Sequence, residues 1–247
     1  MSNIIEGRNP VIEVLKSGRA VDKLLVAKGQ KEGSIHKIIA MAKDLKIPVL
    51  EVDRRKLDQM AESDNHQGVM AYVAAYEYTE LNDLLNDLEA KGEDPFLIIC
   101  DEINDPHNLG SIIRTANATG AHGVIIPKRR SVGLTAVVAK TSAGALEYVP
   151  VCKVTNISHT MQELKDRGIW IVGADMSGDQ YHFEADLKGK LAIVVGSEGK
   201  GMSRLVKENC DFLVRIPMKG EVTSLNASVA ASVLMYEALR QNHVKKP

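Results

Sequence analysis

A glycine-rich turn between an apolar run and a helical pattern is the first segment that could do chemistry. It reads VVGSEGKGMSRL, residues 194–205, with glycines at 196, 199 and 201. This order reverses the dinucleotide-binding fingerprint, and Met202 stands where a phosphate-binding Walker loop needs lysine. Glu198 puts a carboxylate inside the turn, where it would repel a bound phosphate. The turn therefore favours a ligand without phosphates, such as an adenosine derivative held by backbone N–H and C=O groups.

A second segment, DEINDPHNLGSIIRTANATGA, follows the apolar run FLIIC. Asp105 and Pro106 indicate a turn, Asn108 is suited to cap a helix, and Gly110 allows a close backbone approach. The pattern predicts a helix from about Ser111, with Arg114 in its first turn. A cation there opposes the helix dipole by a few tenths to about 1 kcal/mol. Either the protein needs a fixed positive charge at this place, or the long side chain leans into solvent.

The third segment is IPMKGEVTSLNASVAASVLMYEALRQN. Ser224 and Asn226 stand at the start of a long helix whose residues from Ala227 to Val233 include a face of small side chains. Such a face suits tight packing or a subunit interface. Ser224 also has a simpler interpretation as the N-cap of that helix.

The elements that must position these segments are short apolar runs separated by helical patterns. Continuous rather than alternating apolar character is typical of strands covered on both faces. The sequence therefore predicts a mostly parallel sheet with helices on both faces, and ligands bind such sheets beyond the carboxyl ends of the strands. The runs are FLIIC (96–100), GVIIP (123–127), IWIVGA (169–174), LAIVVG (191–196) and FLVRIP (212–217).

The first 76 residues have a different pattern, in which short helical and strand-like segments alternate as in a small α/β module. An acidic, mostly helical stretch follows and ends at Gly92 and Pro95. We therefore divide the chain into residues 1–76, a connector of residues 77–95, and a second domain of residues 96–247.

Charge and composition limit the function classes. A formal net charge of -1, with 31 Lys and Arg against 32 Asp and Glu, argues against a protein that coats nucleic acid by bulk electrostatics. A local basic groove remains compatible with this charge, since recognition depends on where charge sits. The densest basic cluster is PKRRS, residues 127–131, and composition alone favours a solvated loop there.

Three widely spaced cysteines, Cys100, Cys152 and Cys210, indicate core thiols rather than a disulfide framework or a zinc site. The seven histidines show no metal-ligand spacing, so we expect no metal. The longest apolar runs reach about half of the ~20 residues that cross a bilayer, and the N-terminus lacks a signal-peptide pattern. We therefore expect no membrane partner and a cytoplasmic protein.

The segments DPHNLGSIIRTA, IVVGSEGKGMS and IPMKGEVTSLNASVAASV together resemble, in order, the three motifs of the SpoU (TrmH-like) branch of the SPOUT methyltransferases. These enzymes use S-adenosyl-L-methionine to methylate ribose 2′-hydroxyls of RNA. The first domain, beginning IIEGRNPVIEVL, is similar to the family's RNA-binding module, which has a ribosomal-protein-like fold. Over its full length the chain is most similar to RlmB-type enzymes, which modify a guanosine in large-subunit (23S) ribosomal RNA.

The resemblance implies three structural features. These are a deep trefoil knot at the C-terminal side of the catalytic domain, a homodimer, and an active site near the subunit interface. Periodicity alone would not suggest a knot, because knotted chains are rare.

The resemblance also implies roles for matching positions. Backbone groups around Gly196, Ile216 and Leu225 would hold the cofactor, and Val195, Met218 and Asn226 belong to the same set. Arg114 would bind the ribose and its adjacent phosphate, with Glu198 orienting Arg114 or the substrate. Asn108, Ser224 and Asn226 would position Arg114, the target nucleotide or the cofactor.

The acceptor of the hydroxyl proton stays open at this point. Direct general-base action by Arg114 demands a large depression of a pKa that is ordinarily above about 12, so electrostatic stabilisation is the safer hypothesis. In the first domain, Arg8 and Asn9 are candidates for RNA contact, although Asn9 and Pro10 could simply start a helix.

Other functions remain as alternatives. A related enzyme could methylate a tRNA ribose or an antibiotic-resistance site in ribosomal RNA, or the fold could serve a non-catalytic ribosome-assembly factor. A nucleotide-dependent oxidoreductase is disfavoured by the reversed glycine order and by Glu198.

Overall fold

The computed structural model describes residues 4–16, 19–29, 33–61, 66–73, 76–221 and 223–243. The chain divides into two compact units, one of Met1–Glu77 with Gly133–Ala136 and one of Tyr78–Val132 with Val137–Pro247. Residues 78–95, which composition alone marks as part of a connector, belong to the larger unit. Among the described residues, no helix has the length and apolar character needed to cross a bilayer.

The smaller unit holds a four-stranded sheet with the strand order β1-β4-β2-β3. Strand β4 is antiparallel to both β1 and β2, and β3 is parallel to β2. The elements are β1 (Ile4–Glu6), α1 (Arg8–Lys16), β2 (Val21–Ala27), α2 (Ser34–Asp44), β3 (Val49–Val52), α3 (Arg54–Met60) and β4 (Val69–Val73).

Helices cover both faces of this small sheet. Buried residues of α1 and α2, such as Val11 and Ile38, pack with Val69 and Ala71 on one face. Leu57 of α3 packs with Met70 on the other. The α/β prediction is confirmed, but β1 and α3 were not predicted. Strand β1 is only three residues long, and α3 buries a single residue, so neither shows a period.

The larger unit contains the other helices and strands of the described chain. They are α4 (Leu81–Lys91), β5 (Phe96–Cys100), α5 (Pro106–Thr119), β6 (Gly123–Pro127), α6 (Ala136–Thr141), a 3-10 turn (Ala145–Glu147), β7 (Val151–Val154), α7 (Ile157–Asp166), β8 (Trp170–Ala174), β9 (Gln180–Tyr181), β10 (Leu191–Val195), α8 (Arg204–Glu208), β11 (Phe212–Arg215) and α9 (Ala227–His243).

These strands form one sheet in the order β7-β6-β5-β10-β8-β11-β9. Every pairing in it is parallel, which confirms the predicted mostly parallel sheet. The five apolar runs are β5, β6, β8, β10 and β11. The sequence missed β7 and the two-residue edge strand β9. Because the strands are parallel, the segments after β5, β10 and β11 emerge at the same edge of the sheet.

Helices pack on both faces of the larger sheet. On one face, Leu97 and Ile99 of β5 join a core cluster with residues of α4 and α7. On the other, Ile98 and Ile193 are fully buried, α9 contacts β8 and β10, and α5 packs on α9. The helix of the presumed connector, α4, contributes four leucines to the first core, so it is a structural part of this unit.

Helix α5 begins earlier than the sequence suggested. Its N-cap is Asp105, whose carboxylate accepts a hydrogen bond of 2.9 Å from the backbone N–H of His107, and Pro106 is its first residue. Asn108 and Ser111 are therefore inside the helix, so the prediction of a start at Ser111 was wrong. Arg114 lies in the third turn rather than the first, about 12 Å along the axis from Pro106.

Candidate functional site

A cavity of about 430 Å³ opens at the carboxyl edge of the larger sheet. It lies among the loops that follow β8, β10 and β11 and the start of α9. The lining residues are Ala174, Asp175, Met176, Val195, Gly196, Ser197, Glu198, Gly199, Lys200, Gly201, Val214, Ile216, Met218, Thr223, Ser224, Leu225, Ala227 and Ala230.

The glycine turn forms one wall of this cavity with its backbone. Ser197 and Gly201 exchange backbone hydrogen bonds of 3.0 and 2.9 Å, and Gly199 and Gly201 have left-handed φ values of 79° and 68°. A Cβ atom on Gly196 would lie 2.1 Å from the carbonyl carbon of Gly201 and 2.2 Å from the nitrogen of Met202. Two backbone segments thus meet where only glycine fits. The trefoil knot remains a further prediction about the path of this segment.

Five positions that the sequence assigned to a cofactor lie in the cavity wall. Val195, Gly196, Ile216, Met218 and Leu225 all line it. The sixth, Asn226, directly follows Leu225 in the chain and takes part in the hydrogen-bond network beside the cavity. The residue types are mostly apolar with backbone groups between them, which suits a small organic ligand.

One side chain from each of the three segments joins that network. Asn108 donates from its amide to Glu198 Oε1 at 2.9 Å, and Asn226 donates to the same oxygen. The Asn226 amide nitrogen also lies 2.9 Å from Asn108 Oδ1. In sequence, Asn108 is 90 positions from Glu198 and 118 positions from Asn226, so the fold brings the three segments together.

Asn226 has a second function as the N-cap of α9. Its Oδ1 accepts hydrogen bonds from the Ser228 backbone N–H at 2.9 Å and from the Ser228 hydroxyl at 2.7 Å. Ser224 is therefore not the cap. It is exposed and lines the cavity, where its hydroxyl makes no hydrogen bond with the described residues.

Arg114 takes no part in the hydrogen-bond network of Asn108, Glu198 and Asn226. It is exposed and forms no hydrogen bond or ion pair within the described part of the chain. Its neighbour Thr115 bonds Ser232 of α9 at 3.0 Å, so Thr115 lies on the packed side of α5. Glu198 and Arg114 share no hydrogen bond or ion pair in the described part of the chain, and the hydrogen bonds of Glu198 come from amides. The role of Glu198 in orienting Arg114 or the substrate stays a prediction.

In the smaller unit, Arg8 and Asn9 are the first two residues of α1. The Arg8 guanidinium donates to the Gln67 carbonyl at 3.2 Å and reaches the Ser34 hydroxyl at 3.5 Å. Asn9 is exposed, and its side chain has no hydrogen bond to the rest of the described chain. Arg8 thus fastens α1 to neighbouring segments, whereas Asn9 is available to a partner.

The sequence reasoning missed the strand end after β8. Asp175 there lines the cavity and accepts hydrogen bonds from Lys207 Nζ at 2.8 Å and from the Ser177 backbone N–H at 2.9 Å. Burial acts to raise the pKa of Asp175, but these bonds outweigh it and hold the pKa below its ordinary value. The signal was the segment GADMSGD, since β8 neighbours β10 and its polar end must emerge at the same edge.

The cysteines offer no reactive thiolate. Burial raises the pKa of Cys100 and Cys152 to about 12, and both lie in the core. Cys210 is half-buried, and burial likewise raises its pKa to about 12. Among the described residues, no three His, Cys, Asp or Glu side chains are grouped as a metal would require.

Both units match known sequence families. Residues 95–236 match the SpoU rRNA Methylase family, and residues 4–79 match a domain described as RNA 2′-O ribose methyltransferase substrate binding. A Bacillus subtilis (strain 168) protein named as a TrmH family tRNA/rRNA methyltransferase is 56% identical over 237 residues, or 96% of this chain and 95% of that protein. A Staphylococcus aureus (strain MSSA476) protein of the same description is 51% identical over 242 residues, or 97% and 96%.

The fold is also similar to that of a solved structure with a bound ligand. The SpoU methyltransferase AviRb from Streptomyces viridochromogenes, in complex with the cofactor AdoMet, matches with a TM-score of 0.62 at 26% sequence identity. The match covers 98% of this chain and 91% of that chain.

Proposed function

The chain belongs to the SpoU family of S-adenosyl-L-methionine-dependent RNA methyltransferases, and we propose that it methylates the ribose 2′-hydroxyl of a guanosine in 23S ribosomal RNA. The observation that carries this proposal is the convergence of Asn108, Glu198 and Asn226 beside one cavity. The match of residues 4–79 to a 2′-O ribose methyltransferase substrate-binding domain supports the ribose as the acceptor.

The cavity fits the cofactor by size and by chemistry. About 430 Å³ is within the range of small-molecule sites, and Ile216, Met218 and Leu225 provide apolar walls. Asp175 and Glu198 place carboxylates at a site that must accept a cation. S-adenosyl-L-methionine supplies an electrophilic methyl group on a sulfonium centre. The protein's own tasks are to position the ribose and to assist loss of the hydroxyl proton.

We assign Glu198 to positioning. Its carboxylate is held by the amides of Asn108 and Asn226, which belong to the starts of α5 and α9. The three side chains thus fix the two helix starts against the glycine turn. Ser224, exposed in the cavity wall, is free to contact the target nucleotide or the cofactor.

We assign Arg114 to the ribose oxygen and its adjacent phosphate, where a guanidinium stabilises the developing negative charge. Arg114 is exposed and has no hydrogen bond or ion pair within the described part of its own chain, so its guanidinium is available to a second copy. We therefore propose a homodimer in which Arg114 of one protomer serves the cavity of its partner. Val229 and Tyr236, seven residues apart on α9, are 47% and 52% exposed and give apolar surface for that interface.

The decisive experiment incubates the full chain with labelled S-adenosyl-L-methionine and separate fractions of 23S ribosomal RNA and tRNA, followed by mapping of the methylated nucleotide. Label at a 2′-oxygen of one guanosine in 23S ribosomal RNA is the expected result. Because two relatives are named as tRNA/rRNA methyltransferases, tRNA is the second candidate, and label confined to tRNA would favour it. Cofactor binding without methylation of either RNA would indicate a non-catalytic assembly factor.

We propose that the smaller unit contributes RNA contacts through Asn9. Asn9→Ala should weaken RNA binding and leave cofactor binding unchanged, since nothing else in the described chain depends on that amide. Arg8→Ala is the informative comparison because it also removes the bonds to Gln67 and Ser34. Its melting temperature should fall, whereas that of Asn9→Ala should not.

A further inference from the structure

The loop after β6, residues 128–132, carries three consecutive cations that the proposed function does not use. We call it the β6 loop. Strand β6 pairs in parallel with β5, so the β6 loop begins at the same edge of the sheet as the segment that leads into α5. Adjacent strands lie about 4.8 Å apart. The β6 loop is therefore a direct neighbour of the segment that contributes Asn108 to the site.

The β6 loop is fixed to the segment after β5. The Ser131 hydroxyl and the Val132 N–H both donate to the carbonyl of buried Ile103, at 3.0 and 2.9 Å. Arg130 pairs with Glu102 at 3.1 Å. Both residues of this pair have left-handed backbones, with φ values of 57° and 56°. Residues other than glycine hold that conformation only where their surroundings impose it, at a cost of about 1–3 kcal/mol, and it is concentrated at functional sites.

One of the three cations is paired with a carboxylate, and the other two are not. Glu102 balances the charge of Arg130. Lys128 is half-buried and Arg129 is exposed, and neither side chain has a carboxylate partner or a hydrogen bond in the described part of the chain. The Lys128 backbone is itself held, since its N–H donates to the Val154 carbonyl at 2.8 Å. Two unbalanced positive charges are thus presented from a fixed loop.

We propose that Lys128 and Arg129 bind backbone phosphates of the substrate RNA next to the target nucleotide. The proposal rests on RNA methylation as the function of this chain. A guanidinium binds two phosphate oxygens at once, and an ammonium binds phosphate as a point charge. With a net charge of -1, the chain cannot attract RNA by its total charge, so local unpaired cations must do it. This proposal is an alternative to the interpretation of PKRRS as a solvated loop.

The test measures binding of in vitro transcribed 23S ribosomal RNA by the full-length chain over a range of KCl concentrations. Arg129→Ala and Lys128→Ala should each raise the dissociation constant by roughly fivefold at moderate salt. Each should also lower the slope of log affinity against log salt by about one, as expected for one lost phosphate contact. The dissociation constant for S-adenosyl-L-methionine and the melting temperature should stay at wild-type values.

Lys190→Ala is the matched control. Lys190 is exposed, its side chain has no partner in the described chain, and it precedes β10 at the amino edge of the sheet, opposite the site. It should leave both RNA affinity and salt slope unchanged. If Lys128→Ala and Arg129→Ala behave like this control, the proposal is wrong even though the wild-type chain methylates RNA. A wild-type chain that binds cofactor but methylates no RNA would overturn the proposed function itself.

Discussion

The cavity and the β6 loop are built in opposite ways. At the cavity, Glu198 is held by two amides, and the backbone at Gly196 leaves no space for a side chain. In the β6 loop, the side chains of Lys128 and Arg129 have no partner in the described chain. A small ligand needs walls that are complete before it arrives, whereas RNA brings the negative charges that complete its own site. The two regions should therefore fail in different ways when they are mutated.

The largest effect is expected at the glycine turn. Gly196→Ala places a Cβ 2.1 Å from the Gly201 carbonyl carbon, a contact that the backbone cannot accommodate without moving. Cofactor binding measured by calorimetry should be lost. Gly199→Ala is the control, because its Cβ would meet nothing within 4 Å, although its φ of 79° adds strain. Equal losses in the two variants would show that strain rather than close approach governs this turn.

The next effect concerns Arg114. Arg114→Ala should lower kcat by roughly 10²–10³-fold in single-turnover methylation, with the cofactor dissociation constant unchanged. Arg114→Lys should recover little of that loss, because a point charge does not replace the planar fork. Near-normal turnover in both variants would remove Arg114 from the mechanism.

Mixing two inactive variants tests whether Arg114 acts on the partner's cavity. In a mixture of Arg114→Ala and Gly196→Ala chains, a mixed dimer has one intact cavity facing one intact arginine. A random mixture should therefore recover about a quarter of wild-type activity. No recovery, with mixed dimers verified by a tag, would place Arg114 and the cavity in the same chain.

A smaller effect is expected for Asn226→Ala, which removes both the cap of α9 and an amide that holds Glu198. The free energy of unfolding should fall by about 1 kcal/mol, and kcat should fall as well. Asn156→Ala isolates the capping part, because Asn156 caps α7 through a 3.1 Å bond from the His159 N–H. Its stability should fall similarly while its kcat stays at the wild-type value.

The smallest effect is a pH dependence at Asp175. Because the folded-state pKa of Asp175 is lowered, its contribution to stability is present above the unfolded pKa of about 3.9 and is lost as pH falls through the folded pKa. Asp175→Asn should thus melt at a lower temperature than wild type near pH 6. The difference should shrink as the pH is lowered below about 4. A difference that is independent of pH would contradict the role of the Lys207 ion pair.

The sequence predicted the sheet better than the site. Strands β5 and β6 match the apolar runs residue for residue, because continuous burial on both faces leaves an unmistakable local pattern. Strand β9 has two residues and no such pattern. The start of α5 was misplaced because Asp105 and Pro106 were interpreted as a turn, although the same pair is typical of a helix cap followed by its first residue.

The site was predicted as a set of residues rather than as an arrangement. The motifs identified Asn108, Glu198 and Asn226, but no local rule reveals that two amides, 90 and 28 positions away, hold one carboxylate. The contacts of Arg114 were equally hidden from the sequence. Its residue type indicates phosphate and ribose chemistry, but its contacts depend on how α5 packs, with the neighbouring Thr115 bonded to Ser232 of α9.

The close approach at Gly196 has a consequence for how such enzymes can diversify. Every other amino acid carries a β-carbon, so any substitution at this position would clash with the backbone. Lys128 and Arg129 carry no such restriction, because replacing either side chain alters charge without displacing the main chain. New RNA targets should therefore arise by substitutions on the protein surface, while the glycine turn of the cofactor cavity stays unchanged.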